Sequence, residues 1–116
     1  MSGHFLKQPV GRCEAYLAWV RTLPCRCCNR WPTADRANEA HHRIGHGRCS
    51  TTKVSDFEVM PLCLECHANL HRMGWDAWEK SYDIDQRAAC LETLFKSLDA
   101  DLFTFNKKKA LTYAFG

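Results

Sequence analysis

Two Cys-x-x-Cys pairs are the feature that most restricts how this chain can fold. The first pair is Cys25 and Cys28, and the second is Cys63 and Cys66. Each pair forms a knuckle whose thiolates point the same way, and four thiolates complete a tetrahedron around Zn²⁺. A zinc ion shared by both pairs would join distant parts of the chain, so the domain would need zinc to fold. The alternative is that these are buried free cysteines, which behave as small hydrophobic residues.

The total cysteine content bears on the cellular compartment. The chain has eight cysteines, but its N-terminus, MSGHFLKQPVGR, lacks the apolar core and cleavage site of a signal peptide. We therefore expect a cytosolic protein in which thiols stay reduced and cysteine clusters bind metal. A secreted chain could instead form disulfides. The ligand spacing leaves four cysteines as packing or spare residues: Cys13, Cys27, Cys49 and Cys90.

Length and charge restrict the function less strongly. A chain of 116 residues suits one domain with a modest core. No apolar run reaches the roughly 18 residues that a membrane span needs, so we expect no membrane partner. The formal charge of +3 permits a nucleic-acid partner without requiring one.

Four of the six histidines form a second pattern. His67 and His71 are at positions i and i+4 of a segment with helical composition, so their rings share one helix face. His41 and His42 begin a short strand-like run, in which neighbouring side chains point to opposite faces. One of these two could therefore complete a three-nitrogen metal site while the other faces the space beside it. Because a four-cysteine zinc site is coordinatively full and cannot activate water, the histidines indicate a separate chemistry.

Periodicity and turn residues predict one α+β domain over residues 12–98, between a flexible N-terminus at 1–11 and a C-terminal tail at 99–116. A short N-terminal helix is expected over 12–23, with a strand as the alternative. Strands are expected over 41–44 and 57–60, with Pro61 marking the end of the second.

Three helices are expected to follow the strands. The first covers 64–72 and ends at Gly74, the second covers 76–82, and the third covers 86–98. An apolar stripe on the third helix is predicted to pack in the core: Ala88, Leu91, Leu94, Phe95 and Leu98.

The order of these motifs resembles that of the HNH endonucleases, also called ββα-metal or His-Me finger endonucleases. The shared pattern is a His-His pair, a long loop, a strand and Cys-x-x-Cys-His-x-x-x-His. The segments LAWVRTLPCRCC, EAHHRIGHG and SDFEVMPLC are similar, more narrowly, to phage-encoded HNH proteins related to the recombination-enhancing Ref nuclease. The resemblance covers about residues 15–98 and implies a ββα-metal core with a four-cysteine zinc site, flanked by one N-terminal and two C-terminal helices.

The resemblance also implies roles for individual residues. The divalent cation, Mg²⁺ or another, would be held by His41, His67 and His71, with His42 as the general base. Asp56 stands where these enzymes usually have an asparagine that braces the loop positioning the base. The products would carry 5′-phosphate and 3′-hydroxyl ends.

The chemistry of phosphodiester hydrolysis agrees with these roles. A cation with open positions neutralises the charge that grows in the transition state, and a neutral histidine can take a proton from water at physiological pH. In the loop between the strands, His46, Arg48 and Lys53 could contact flanking phosphates. The alternative for each of the three is a solvated loop residue, which explains Arg48 and Lys53 about equally well.

We therefore predict a metal-dependent DNA endonuclease with little sequence specificity. The resemblance adds a phage or prophage origin, a link to recombination, a recombinase as a candidate partner, and the cytoplasm of a bacterial host as the location. The first alternative is a catalytically silent zinc adaptor that binds nucleic acid. The second is a structural protein whose histidines form another closed zinc site.

Overall fold

The computed structural model describes residues 11–47 and 54–100. These residues form a small α+β domain with a two-stranded antiparallel sheet and four helices, which confirms the predicted α+β class. The elements are α1 (Glu14–Val20), β1 (Glu39–His42), β2 (Val59–Leu62), α2 (Leu64–Met73), α3 (Trp75–Tyr82) and α4 (Gln86–Asp99). None of these helices combines the length and the apolar character that crossing a bilayer requires.

The predicted termini fall mostly outside this description. Of the N-terminal segment at 1–11, only Gly11 is described, and of the tail at 99–116, only Asp99 and Ala100. Asp99 still belongs to α4.

Both strands are displaced along the chain from their predicted ranges. β1 ends at His42 instead of continuing to Ile44, and β2 begins at Val59 instead of Phe57. In the antiparallel register, His41 lies opposite Met60. His41 and His42 still occupy neighbouring positions of one strand, so their side chains leave it on opposite faces.

The prediction that Pro61 ends β2 is wrong, because Pro61 lies inside the strand opposite Ala40. The amide of Arg43 donates to the carbonyl of Glu58. Given the alternation of antiparallel pairing, Pro61 then occupies a position whose amide does not face β1, so the missing N–H breaks no bond. The Pro61 carbonyl instead accepts from the amide of Arg26 and ties the first cysteine pair to the sheet.

Helix α1 is shorter than the predicted range 12–23. The backbone is extended at Cys13, and the chain turns after Val20. Tyr16, Leu17 and Val20 are buried against Val59 of β2 and form a small core on one side of the sheet.

Burial of Tyr16 leads to a prediction about alkaline stability. Burial raises the pKa of this phenol to about 12, from an ordinary value of about 10. Its contribution to stability is therefore complete below about pH 10 and is lost as the pH rises to about 12. Between these limits, we expect the free energy of unfolding to fall by on the order of 2 kcal/mol more in the wild type than in Tyr16→Phe. Urea denaturation of both proteins measures the difference, and equal losses would contradict the prediction.

The main core lies between the sheet and helices α2 to α4. Its largest members are Met60, Leu62, Leu70 and Trp78. Gly74, at φ 91°, ends α2 as predicted and leads directly into α3. This core fixes α2 beside β1 and β2, which is the arrangement that positions the histidines.

The prediction for the buried face of α4 is wrong. Leu91, Phe95 and Leu98 are 53%, 60% and 51% exposed, and Ala88 is also exposed. Leu94 is partly buried. The face that packs against the sheet is made instead of small or polar residues: Gln86, Ala89, Cys90, Thr93 and Ser97.

The physical reason is that small side chains let α4 approach β2 closely. The polar members keep their hydrogen bonds when buried, because the hydroxyls of Thr93 and Ser97 donate to carbonyls of their own helix. Hydrophobicity alone therefore selected the wrong face.

Candidate metal centres and the residues around them

Local turns present the thiols of both cysteine pairs. The amide of Cys28 lies 3.5 Å from Sγ of Cys25, and the amide of Cys66 lies 3.5 Å from Sγ of Cys63. The first turn is closed by Asn29, whose φ of 64° is a left-handed conformation that asparagine tolerates. The second turn is the beginning of α2, where Cys63 is the N-cap. Both pairs thus adopt the same knuckle.

The two knuckles meet, as their spacing predicted. Sγ of Cys28 lies 3.7 Å from Sγ of Cys63, and the four thiols lie within 4.8 Å of one another. Sulfurs held about 2.3 Å from a tetrahedral zinc ion are about 3.8 Å apart, whereas a disulfide needs about 2.05 Å. The four cysteines could therefore hold one metal ion such as Zn²⁺.

The chemistry of these thiols also fits a cation. Burial, the contact with Cys63 and repulsion from the thiolate of Cys25 raise the pKa of Cys66. Several thiolates so close together repel one another, and a divalent cation removes the repulsion. The four thiols could thus hold a thiophilic divalent ion.

The remaining cysteines lie outside this group of four. All seven cysteines in the described ranges are free thiols. Cys90 is buried in the main core, and Cys13 packs against the smaller core formed by α1 and Val59. Cys27 is half-buried beside the four thiols, while Cys49 lies outside the described residues.

Three imidazole rings converge between β1 and α2. Nδ1 of His41 lies 3.0 Å from Nε2 of His67, and Nε2 of His71 lies 3.2 Å from that same atom. His41 is 2% exposed, whereas His71 is exposed. The structure therefore brings the three predicted ligands together in a cluster that opens to solvent on one side.

The rings of His41 and His67 each have a hydrogen-bond partner on the side that faces away from the cluster. Nδ1 of His67 lies 2.7 Å from Oε1 of Glu39, and Nε2 of His41 lies 2.8 Å from Oε1 of Gln86. Since an ionised carboxylate only accepts, His67 carries its hydrogen on Nδ1 and directs the lone pair of Nε2 into the cluster. Burial lowers the pKa of His41 to about 4. His41 is therefore neutral at physiological pH, the form that can bind a metal ion.

His42 leaves the opposite face of β1 and contacts Asp56. Its Nε2 lies 2.8 Å from Oδ1 of Asp56. Asp56 is 4% exposed, and it also accepts from the guanidinium of Arg12 and from the amide of Cys13. Burial alone would raise the pKa of Asp56, but the hydrogen bonds from His42 and Cys13 and the charge of Arg12 hold it below its usual value. Asp56 therefore stays ionised and accepts the Nε2 hydrogen of His42.

Of the three residues predicted to contact phosphates from the loop, the structure describes His46. His46 contacts α3, with its Nε2 2.7 Å from Oε2 of Glu79 and its ring 4.4 Å from that of Trp75. Arg48 and Lys53 lie outside the described residues. Their predicted phosphate contacts stay predictions.

A comparison with protein families identifies the relatives of this chain. A family model described as "Protein of unknown function (DUF968)" matches residues 4–102. The chain belongs to the DUF968 family. The uncharacterized protein YdfU of Escherichia coli (strain K12) is 37% identical to this DUF968 chain over 102 residues, covering 84% of the chain and 26% of YdfU. The chain thus spans about a quarter of that relative's length. No solved structure matches it.

Three further residues support the two clusters of this DUF968 chain. The buried amide of Asn38 donates to the carbonyls of Leu23 and Arg30, which bracket the first knuckle. Glu39 could have been found from the sequence, because residues i and i+2 of a strand share a face and it precedes His41 by two. Gln86 carried no such signal, since only packing of α4 brings it to His41.

Proposed function

We propose that this chain is a metal-dependent DNA endonuclease of the HNH, or ββα-metal, type. The observation that carries the proposal is the convergence of three imidazole nitrogens, at 3.0 and 3.2 Å. The order β1, loop, β2 and α2, with the ligands on β1 and α2, supports the assignment. So does the four-cysteine cluster at the base of α2.

The converging nitrogens support a shared cation. The Nε2 lone pair of His67 points toward the ring nitrogens of His41 and His71, and lone pairs in such contact repel unless a proton or a cation lies between them. Nitrogens about 2.0–2.1 Å from one ion are about 3.3–3.4 Å apart in tetrahedral geometry and about 2.8–3.0 Å apart at right angles. The observed N···N distances therefore fit ligands of a single ion.

The nitrogen donors also bear on which cation is bound. Imidazole suits zinc, nickel, iron and copper, whereas Mg²⁺ prefers carboxylate and water oxygens. Three protein ligands leave positions open for a phosphate oxygen and water. We therefore extend the expected Mg²⁺ to transition-metal ions, with His41, His67 and His71 as the ligands.

His42 is the proposed general base. Its Nε2 hydrogen is donated to the ionised Asp56, so Nδ1 is left with a free lone pair. The His42 side chain is 37% exposed, which lets a water molecule reach Nδ1. Asp56 would keep this tautomer and stabilise the imidazolium that forms when His42 takes the proton. A carboxylate thereby replaces the asparagine usual at this place.

The proposed reaction is hydrolysis of a phosphodiester. The bound cation supplies charge neutralisation at the phosphate. His42 would remove a proton from the attacking water, whose oxygen bonds to phosphorus while the bond from phosphorus to the 3′-oxygen breaks, and the departing 3′-oxygen would take a proton from solvent. The products would be 5′-phosphate and 3′-hydroxyl ends, as the resemblance implies.

The substrate and location belong to the same proposal. The predicted contacts of Arg48 and Lys53 with flanking phosphates would give affinity without sequence preference. A reducing cytosol is part of the proposal, because disulfide formation competes with zinc binding by thiolates. A phage origin and a recombinase partner rest on the resemblance alone.

Cleavage of DNA by the purified chain tests the proposal. Protein loaded with one equivalent of zinc is incubated with supercoiled plasmid and Mg²⁺, Mn²⁺, Ni²⁺ or additional Zn²⁺. We expect nicked and linear products with at least one ion, and none with EDTA. Absence of cleavage with every ion, together with a gel shift of the DNA, would support the adaptor function instead. Tight binding of a second zinc ion that includes His42 would support a structural role.

A further inference from the structure

Gln86 is a buried polar residue that the proposed reaction does not use. It is the first residue of α4, and its side chain is completely buried. Four groups surround its amide: the amide and the carbonyl of Ile44, a carboxylate oxygen of Glu79, and Nε2 of His41. This glutamine is held in one orientation, because flipping its amide would break the contacts with the amide and carbonyl of Ile44 and with Glu79.

The neighbours decide which end of the amide faces His41. The Ile44 carbonyl and the Glu79 carboxylate can only accept, so the NH₂ group of Gln86 must face them, at 3.0 Å each. The amide of Ile44 can only donate, so Oε1 of Gln86 must face it, at 3.2 Å. The same Oε1 lies 2.8 Å from Nε2 of His41. Oε1 has no hydrogen, so Nε2 of His41 must donate to it.

We infer that Gln86 is a positioning residue that sets the tautomer of His41. With its hydrogen held on Nε2, His41 directs the bare Nδ1 toward His67, in the geometry of a metal ligand. Outer partners of this kind orient ligand imidazoles in many metal sites. The inference deepens the proposed function and rests on the three histidines being metal ligands.

The network continues from Gln86 to the loop after β1. Oε2 of Glu79 accepts from the backbone amide and the side chain of Gln86 and from Nε2 of His46. His46 has a φ of 56°, and its ring packs against that of Trp75 at an interplanar angle of 49°. Glu79 therefore fixes the orientation of Gln86 and links it, through His46, to the loop after β1.

The same contacts account for a third group of potential metal ligands without requiring a metal ion. His46, Glu79 and Asp85 lie within 4.8 Å of one another. Oε2 of Glu79 is already occupied by three donors, and both oxygens of Asp85 accept from Arg87. These groups serve the network and the start of α4.

The test compares Gln86→Met with Thr93→Val, in the full chain loaded with one equivalent of zinc. Methionine resembles glutamine in length but cannot accept from His41. Thr93 lies buried on the same face of α4, and its hydroxyl bonds only within the helix in the described contacts. Thr93→Val therefore removes a buried hydrogen bond without touching His41.

Two measurements are made on each protein. Nitrogen-15 NMR of the histidine rings, without added second metal, reports which nitrogen of His41 carries the hydrogen. Calorimetric titration with Ni²⁺ reports the affinity of the histidine site. We expect the Nε2 hydrogen in the wild type and in Thr93→Val, and a mixture of tautomers in Gln86→Met. We also expect Gln86→Met to bind Ni²⁺ about 10–100-fold more weakly.

The outcomes separate this inference from the proposed function. If wild-type His41 carries its hydrogen on Nδ1, the inference is overturned without any variant. An unchanged tautomer and Ni²⁺ affinity in Gln86→Met would overturn it as well. If the variant changes the tautomer but the wild type binds no Ni²⁺, Gln86 does position His41 and the proposed metal function fails.

Discussion

Cys63→Ser should leave the domain unfolded at neutral pH, with no bound zinc. Structural zinc sites contribute on the order of 10–16 kcal/mol, which is comparable with or larger than the total stability of a small domain, about 5–15 kcal/mol. Cys63 belongs both to the four-thiol cluster and to the N-cap of α2. Because serine is itself a good N-cap, this substitution removes the thiolate and preserves the cap. Circular dichroism and zinc analysis measure the two effects.

Cys27→Ser is the matched control, because Cys27 lies in the first knuckle but outside the group of four. It should retain one equivalent of zinc and the wild-type spectrum. A Cys63→Ser protein that folds completely without zinc would show that the cluster is not a structural support. If Cys27→Ser alone lost the metal, the ligand set would need to be reassigned.

His42→Ala should abolish most DNA cleavage and leave both metal sites occupied. General-base catalysis contributes about 10²–10⁴-fold to a rate, so we expect a loss of that size. The side chain is partly exposed, and its partner Asp56 keeps its bonds to Arg12 and Cys13, so the fold should survive. Single-turnover plasmid nicking at saturating metal measures the rate, and calorimetry measures the metal affinity.

His71→Ala is the comparison variant, because it removes a proposed metal ligand instead of the proposed general base. His71 belongs to the converging nitrogens, so its loss should weaken metal binding and cleavage together. A His42→Ala protein that cleaves at the wild-type rate would exclude His42 as the base. If instead it lost its metal, His42 would be a ligand and the structural alternative would be favoured.

Features set by short-range spacing were predictable. The i, i+4 relation of His67 and His71 follows from helix geometry, and the opposite directions of His41 and His42 follow from strand geometry. The Cys-x-x-Cys knuckles are equally local. These local relations account for the two knuckles and for the His67–His71 pair, whereas the choice of His41 over His42 as the third member of the cluster came from the resemblance.

Features that depend on packing partners were not predictable. Hydrophobic periodicity placed Leu91, Phe95 and Leu98 in the core, but the helix buries its small side chains because these allow it to lie close to β2. Pro61 signalled the end of a strand, but the register gives it a position that needs no hydrogen bond to β1.

The residue types and their spacing thus indicated an α+β chain, the two thiol pairs and the His67–His71 pair, because each of these pairs lies within a few neighbouring positions, whereas the resemblance supplied His41 as the third nitrogen. Tertiary structure decided the partners of those groups: Gln86 behind His41, Asp56 beside His42, and Asn38 around the first knuckle. A ligand can be recognised from its own chemistry and local spacing. The residue that orients it can come from any element packed against it, so only the folded chain identifies it.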